Sequence, residues 1–540
     1  MGEPLLYGLM MDDYPLSLTT IVERAEQLTP TRKVVSRRPN GSVHRMTMGD
    51  CARRARRLAS ALAGLGIGEG DRVGTLMWNQ PEHLEAYYGV PAMGAVVHTL
   101  NPRLHPDELA FIAGDAEDRA IIVDESLLPV LDSFRSAYEF DHVIVVSQGG
   151  QAAEGALDYE SLIDGAEPMS WPAPHERRAA AICYTSGTTG RPKGVLYSHR
   201  ALVLHSMGAA LPDAMNISSR DTVLPVVPMF HANAWGIPYT ATMMGASIVL
   251  PGPKLDGESV LDLLSDEKVT LTAGVPTVWM AMLKAIEDEP DRWDLSSLRR
   301  LLVGGSAVPK SMIEGYHGHG LFIVQGWGMT ETSPLASTSI VPPELDDASA
   351  DEQFEYRARQ GIPAPFVDIR ARGDDGELIP WDDKAMGELE VRGPWVAAAY
   401  FQGTGAEKFT DDGWFQTGDV VKIDSRGSIR ITDRAKDLVK SGGEWISSVD
   451  MENLLMGHPA VAEAAVIAVP DEKWDERPMA VVVLKGGAEA TADDLRYHLS
   501  SHFAKWQLPE RVEFIDEIPR TATGKFKKTA LREQFVKTTV

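Results

Sequence analysis

The 540-residue chain is predicted to be an α/β protein: a large N-terminal domain of parallel α/β sheets, a small antiparallel barrel-like subdomain, and a small α+β C-terminal domain. Three observations predict this. Short apolar runs alternate with helix-like stretches up to about residue 365; alternating strands around tight turns follow; and a separate α/β pattern of about a hundred residues closes the chain.

In the first part, "RVGTLMW", "AIIVD", "HVIVVS", "SIVL", "LRRLLVGG" and "LFIVQGWG" are nearly continuous apolar runs, as expected of parallel strands covered on both faces. Between them, "PEHLEAYYGVPAMGAV" and "VLDLLSDEKV" read as helices. The basic cluster "ARRARRLA", Ala52 to Ala59, carries leucine and alanine at helical spacing and reads as a solvated helix face. Beyond residue 365, "VDIRARGDDGELIP", "GELEVRG" and "VVKIDSRGSIRITDR" place alternating strands around "DDGE" and "SRGS" turns. The last part reads as the helix "SVDMENLLMGHP", the strands "VAEAAVIAVP" and "MAVVVLK", the helix "TADDLRYHLSSHF" and the segment "RVEFIDEIP".

Composition narrows the function. Lys plus Arg total 52 against 77 Asp plus Glu, a net charge of -25, so nucleic acid is not an expected partner. Cys51 and Cys183 cannot build a disulfide framework; Cys183 lies in an apolar run, and a reducing cytoplasm fits. The N-terminal "MGEPLLYGLMMDDYPLS" lacks a basic region and carries Asp12 and Asp13, so no signal peptide is expected. No Asp, Glu, Lys or Arg occurs from Thr222 to Pro253, but Pro225, Pro228, Pro238, His231 and Asn233 interrupt this stretch. It reads as protein interior beside a cavity, and no integral membrane segment is expected.

"YTSGTTGRPKG", Tyr184 to Gly194, directly follows the apolar run "AAAIC". A Walker A loop needs a Gly-Lys pair followed by Ser or Thr; here Pro192 precedes Lys193 and Gly194 follows it, so the kinase and GTPase readings fail on spacing. What remains is a loop whose Thr185, Ser186, Thr188 and Thr189 hydroxyls and backbone N–H groups, opened by Gly187 and Gly190, can wrap a triphosphate, with Lys193 as a mobile charge.

This loop resembles the signature of the AMP-forming acyl-adenylate superfamily of acyl-CoA synthetases, adenylation domains and luciferases. "QGWGMTE" (325–331), "GWFQTGD" (413–419), "DRAKDLVKSGGEWIS" (433–447) and "PRTATGKFKK" (519–528) resemble its later motifs in the family's order. "VVPMFHANAWG", "TAGVPTVW", "VGGSAVP" and "SGGEWIS" bring it nearest to bacterial fatty-acyl-CoA synthetases. The resemblance implies an adenylate-forming domain over 1–433, a hinge at 434–437 and a mobile lid domain over 438–540. It implies ATP, Mg2+ and CoA as cofactor and co-substrates, a carboxylic acid as substrate, and, from the long-chain branch, a homodimer.

By the same resemblance, Lys525 bridges the acid carboxylate and the α-phosphate, where positioned cations stabilise the charge of the transition state. Glu331 and Thr185 are the implied Mg2+ ligands, and Lys193 the phosphate cation. Gln325, Gly326, Trp327, Gly328, Met329 and Thr330 flank the adenine, with Trp327 where the family carries tyrosine. Asp419 takes the ribose hydroxyls, Arg434 is a second nucleotide contact, and Lys436 matches the hinge. Lys440, Gly442, Gly443, Glu444, Trp445 and Glu476 form the face for CoA and the thioester step.

His231, Trp235, Gly304 and Gly305 are assigned to the acid pocket, with Trp235 as its gate. No acidic side chain stands near His231, which disfavours an amino-acid substrate. Medium- or long-chain fatty acids are expected first, and short, methylthio-alkanoic or aryl-propenoic acids are the alternatives. Two rival readings stay open: a non-catalytic nucleotide- or acyl-binding protein, and adenylation for a carrier protein or for oxygenation. Fifteen residues follow "PRTATGK", so no carrier domain is expected in cis.

Overall fold

The computed structural model describes residues 11, 14–147, 155–185, 191–441, 444–471, 474–520 and 526–536. Two large sheets organise the N-terminal part. One has nine strands in the order Ile362–Pro363, Leu335–Thr338, Ile323–Gly328, Arg300–Val303, Leu271–Gly274, Thr222–Pro225, Ser247–Leu250, Lys33–Arg37, Val43–Thr47. From Ile323–Gly328 to Lys33–Arg37 all neighbours are parallel. The other has seven, in the order Leu157–Asp158, His142–Val146, Asp118–Asp124, Arg72–Leu76, Val96–Thr99, Ala179–Tyr184, Gly194–Ser198, parallel except for the last pair.

The helix Pro81–Ala92 joins these sheets. Every one of its residues is buried, and it packs on Lys33–Arg37 of one sheet and on Arg72–Leu76, Val96–Thr99 and Ala179–Tyr184 of the other. A helix covered all round belongs to an interior layer, and one apolar core runs through Val34, Tyr87, Val97, Ala181 and Val223. The antiparallel subdomain is a four-stranded sheet, Asp368–Arg372, Gly387–Arg392, Phe415–Ile423 and Ile429–Arg434. Its "SRGS" turn uses Gly427 at φ +85°.

The basic helix departs from the expected solvated face. Met48–Gly64 directs Arg54 at Glu85 (2.6 Å), which is fully buried, as well as at Glu160. A buried carboxylate needs a paired cation, so this arginine is drawn inward.

The C-terminal sheet pairs Glu444–Ile446, Val439–Ser441, Asp475–Leu484 and Val461–Asp471, with Arg511–Phe514 added parallel to Asp475–Leu484. Its first helix, Ser448–Met456, rests on the end of the antiparallel sheet. There Ser447 Oγ donates to the Thr432 carbonyl (2.6 Å), the Ser448 amide donates to Asp433 (3.0 Å), and Arg430 pairs with Asp450 (2.9 Å). Among the described residues no helix is long and apolar enough to cross a membrane.

Candidate active site

A cavity of about 830 Å³ opens where the parallel sheets, the antiparallel sheet and the C-terminal part meet. Its cations are Arg103, Arg191, Lys193, Lys408, Arg434, Lys436, Arg520, Lys527 and Lys528; its acids are Glu108, Glu331 and Asp437. In a chain of net charge -25 this lining carries more cations than acids, although Lys193, Arg434, Arg520 and Lys528 pair with Glu407, Asp419, Glu463 and Glu452. Met215, Trp235, Leu302, Val303, Val324 and Leu335 give it an apolar region as well.

The glycine-rich loop joins two antiparallel strands, with Tyr184 opposite Gly194. Thr185 closes its base: the Thr185 amide donates to the Lys193 carbonyl (2.9 Å), and the Lys193 amide donates to Thr185 Oγ1 (3.2 Å). Ser186, Gly187, Thr188, Thr189 and Gly190 lie outside the described residues. The Lys193 ammonium sits 3.4 Å from Glu407 and 5.0 Å from the centre of the Tyr400 ring.

Tyr400 in turn donates to Glu331 Oε1 at 2.6 Å. Burial, together with the neighbouring Glu331 charge, raises the Tyr400 phenol above its usual range, so it remains a donor. Glu331 lies in the short turn Thr330–Thr332 that ends the strand Ile323–Gly328. Gly328 is obligatory there, because an added methyl would stand 1.7 Å from the Pro334 carbonyl oxygen.

The nucleotide candidates divide in two. Thr185, Lys193, Gly326, Trp327, Gly328, Met329, Thr330, Glu331 and Arg434 line the cavity, as does Lys436. Gln325 is buried away from it, and Asp419 lies behind Gly418, 3% exposed. The Trp327 indole N–H donates to Asp419 Oδ2 (3.0 Å), and Arg434 Nε pairs with Oδ1 (2.8 Å).

His231, Trp235, Gly304 and Gly305 line the same cavity. His231 and Trp235 stand at an unusual turn: Ala232, Asn233, Ala234 and Trp235 all have left-handed φ, +42° to +56°, before Gly236 at +70°. Left-handed torsions cost L-residues roughly 1–2 kcal/mol each, so the turn needs outside support. Asn233 supplies part of it, its amide oxygen accepting from the Cys183 thiol (3.1 Å) and lying 3.3 Å from the Tyr87 hydroxyl, which donates to the Met229 carbonyl. Cys183 belongs to the strand that leads into the glycine-rich loop. At Gly304 an added methyl would lie 2.9 Å from the Gly326 carbonyl oxygen and 3.1 Å from the Trp235 indole, so the glycine lets Trp235 close on the strand end.

Lys440, Glu444 and Trp445 belong to the antiparallel pair Val439–Ser441 and Glu444–Ile446. Glu476 is opposite Pro470 in the C-terminal sheet and does not line the cavity. Lys525, Gly442 and Gly443 lie outside the described residues. Sequence reasoning missed Tyr400, Glu407, Lys408 and the supporting role of Asn233; only Asn233, an Asn tolerant of left-handed torsions, stood in a segment already singled out.

Comparison with known proteins places this geometry. The family described as "AMP-binding enzyme" matches residues 22–401, and "AMP-binding enzyme C-terminal domain" matches 450–525. A long-chain-fatty-acid–CoA ligase of Thermus thermophilus is 50% identical over 97% of this chain and 96% of its own. A 3-methylmercaptopropionyl-CoA ligase of Ruegeria lacuscaerulensis is 43% identical over 98% of this chain and 99% of its own. Among solved structures, the anthranilate CoA ligase AuaEII in complex with anthranoyl-AMP superposes with a TM-score of 0.86 at 28% identity, covering 97% of this chain and 99% of the other. Sequence and fold therefore agree along nearly the whole length, and the chain belongs to the AMP-binding enzyme family as an AMP-forming acid–thiol ligase.

Proposed function

We propose that the protein activates a medium- or long-chain fatty acid as its CoA thioester. In the first step a carboxylate oxygen attacks the α-phosphorus of ATP and the bond to pyrophosphate breaks. In the second, the CoA sulfur, having lost its proton, attacks the acyl carbon and AMP leaves. The observation that carries this reading is a cleft lined both by cationic side chains, Lys193 and Arg434 among them, and by apolar ones, Trp235, Val303 and Leu335 among them. An anionic head, a nucleotide and an uncharged tail find matching surroundings there.

In this reading Lys193 and the loop hold the β- and γ-phosphates, Asp419 accepts the ribose hydroxyls, and Lys525 bridges carboxylate and α-phosphate. Thr185 and Glu331 offer oxygen donors only, the set a hard divalent cation prefers, and Mg2+ held there would screen phosphate charge. Among the described residues no group of three or more His, Cys, Asp or Glu side chains gathers as a self-sufficient metal site. The segment at Lys436 serves as a hinge, and its rotation brings the Lys440–Trp445 face to the thioester side.

A second reading, a short methylthio-alkanoic acid, is favoured by the 43% identity to the Ruegeria ligase over 98% of this chain. A CoA-dependent screen over acids of graded length, reading AMP and acyl-CoA together, tests both. Matched release with kcat/KM highest on medium or long chains is expected, and a maximum on methylthio-propionate would move the assignment to the second reading. AMP release without acyl-CoA on any acid would overturn both.

A further inference from the structure

Trp327 belongs to the nine-stranded sheet and Asp419 to the four-stranded one, yet they share a 3.0 Å hydrogen bond. Both are buried, at 8% and 3% exposure. An indole has one donor and no acceptor, and an ionised carboxylate only accepts, so this bond has one possible direction. Arg434 Nε holds the other oxygen at 2.8 Å, while Arg434 Nη1 donates to the Thr417 carbonyl (3.1 Å) and the Asp419 amide donates to Thr417 Oγ1 (3.1 Å). The carboxylate is thus hydrogen-bonded through Oδ2 and ion-paired at Oδ1, and each oxygen keeps acceptor capacity. A group with two adjacent O–H donors matches what remains.

We propose that Trp327 is a positioning residue for nucleotide selection, and that its indole N–H turns Asp419 so that the carboxylate meets both ribose hydroxyls. This rests on Asp419 being the ribose acceptor. It assigns Trp327 a role through its polar edge, separate from any stacking of its ring on adenine. The two holders of Asp419 are unequal: Arg434 stands at the start of the 434–437 segment, whereas Trp327 is anchored in a strand that the segment does not carry. Whatever the small domain does, the indole keeps Oδ2 in place.

The test is the ratio of kcat/KM for ATP over 2′-deoxy-ATP in wild type, Trp327→Phe, Trp327→His and Asp419→Asn. A ratio taken within one sample does not depend on how much of that variant is folded. Wild type is expected to favour ATP about ten- to a hundredfold, the range for losing one hydrogen bond to a charged group. Trp327→Phe, which keeps an aromatic face without the N–H, is expected to lower the ratio by about fivefold or more, with KM for the acid little changed. Trp327→His, which keeps a ring N–H, should recover part of it. A Trp327→Phe protein that weakens ATP and 2′-deoxy-ATP alike, keeping the wild-type ratio, would overturn the positioning role while leaving the ribose assignment intact. An Asp419→Asn protein that keeps the wild-type ratio would overturn the ribose assignment and the positioning role together.

Discussion

Tyr400 donates a 2.6 Å hydrogen bond to Glu331 while its ring faces the Lys193 ammonium at 5.0 Å. One side chain thereby fixes the distance between the candidate metal carboxylate and the candidate phosphate cation. Tyr400→Phe removes the hydroxyl and keeps the ring. A hydrogen bond to a charged group contributes about 1.5–3 kcal/mol, so kcat/KM for ATP should fall at least about tenfold with KM for the acid unchanged. Acid-dependent ATP–pyrophosphate exchange reads this, and an unchanged exchange rate would remove Tyr400 from the site.

Lys193 is the cation of the glycine-rich loop, and its only work in this scheme is on departing phosphates. Lys193→Ala should slow adenylation by about a hundredfold, as expected when a preorganised charge is removed. Thioester formation from supplied acyl-AMP should change far less. Equal loss in both half-reactions would contradict the scheme. Glu407→Gln should have little effect on stability, because Glu407 is 72% exposed and exposed pairs contribute little.

Gly304 leaves room for the Trp235 indole. Gly304→Ala places a methyl 3.1 Å from that ring and 2.9 Å from a carbonyl oxygen that cannot move freely. The indole must shift, and a misplaced pocket wall should lower kcat/KM for the acid by about ten- to a hundredfold. KM for ATP measured at saturating acid should stay near the wild-type value.

Three buried imidazoles set an acid limit. Burial lowers His83 and His199 to about 4 and His205 to about 3, against an ordinary value of 6.5. As pH falls below 6.5 the unfolded chain takes up protons that the folded one refuses, so the stability these rings contribute is complete above 6.5. It is lost toward pH 4, on the order of 3 kcal/mol per ring. Buried Glu85, raised to about 7 by loss of hydration, acts in the opposite sense and regains stability as pH falls from 7 to 4.5, offsetting part of the loss. The thermal midpoint should therefore drop between pH 6.5 and 4. His205→Gln, which retains an acceptor for the Leu335 amide, should start lower at pH 7 and drop less; an unchanged slope would show that His205 is not among the titrating groups.

The fold class was legible because apolar runs and turn residues are local signals: the strands at Arg72–Leu76 and Ser247–Leu250 and the turn at Gly427 follow from a few neighbouring residues each. The motif residues of the cleft were legible for the same reason. The partnerships were not. Trp327 and Asp419 are 92 positions apart, Glu331 and Tyr400 are 69 apart, and Lys193 and Glu407 are 214 apart. Such pairs exist only once separate sheets have docked. Arg54 was misread for the same reason, since its buried partner Glu85 lies on another helix. The left-handed turn was illegible in another way, because alanine and tryptophan carry no preference for it.

That turn stores the contour of this cavity wall in backbone torsion, not in side-chain bulk. Exchanging the side chains around His231 and Trp235 therefore resizes a wall whose path stays the same. D-Alanine, whose favoured torsions are the mirror image of the L-residue's, would meet the φ of 232 or 234 without torsional strain. A semisynthetic chain carrying it should keep the wall and hold it more firmly than the natural one does.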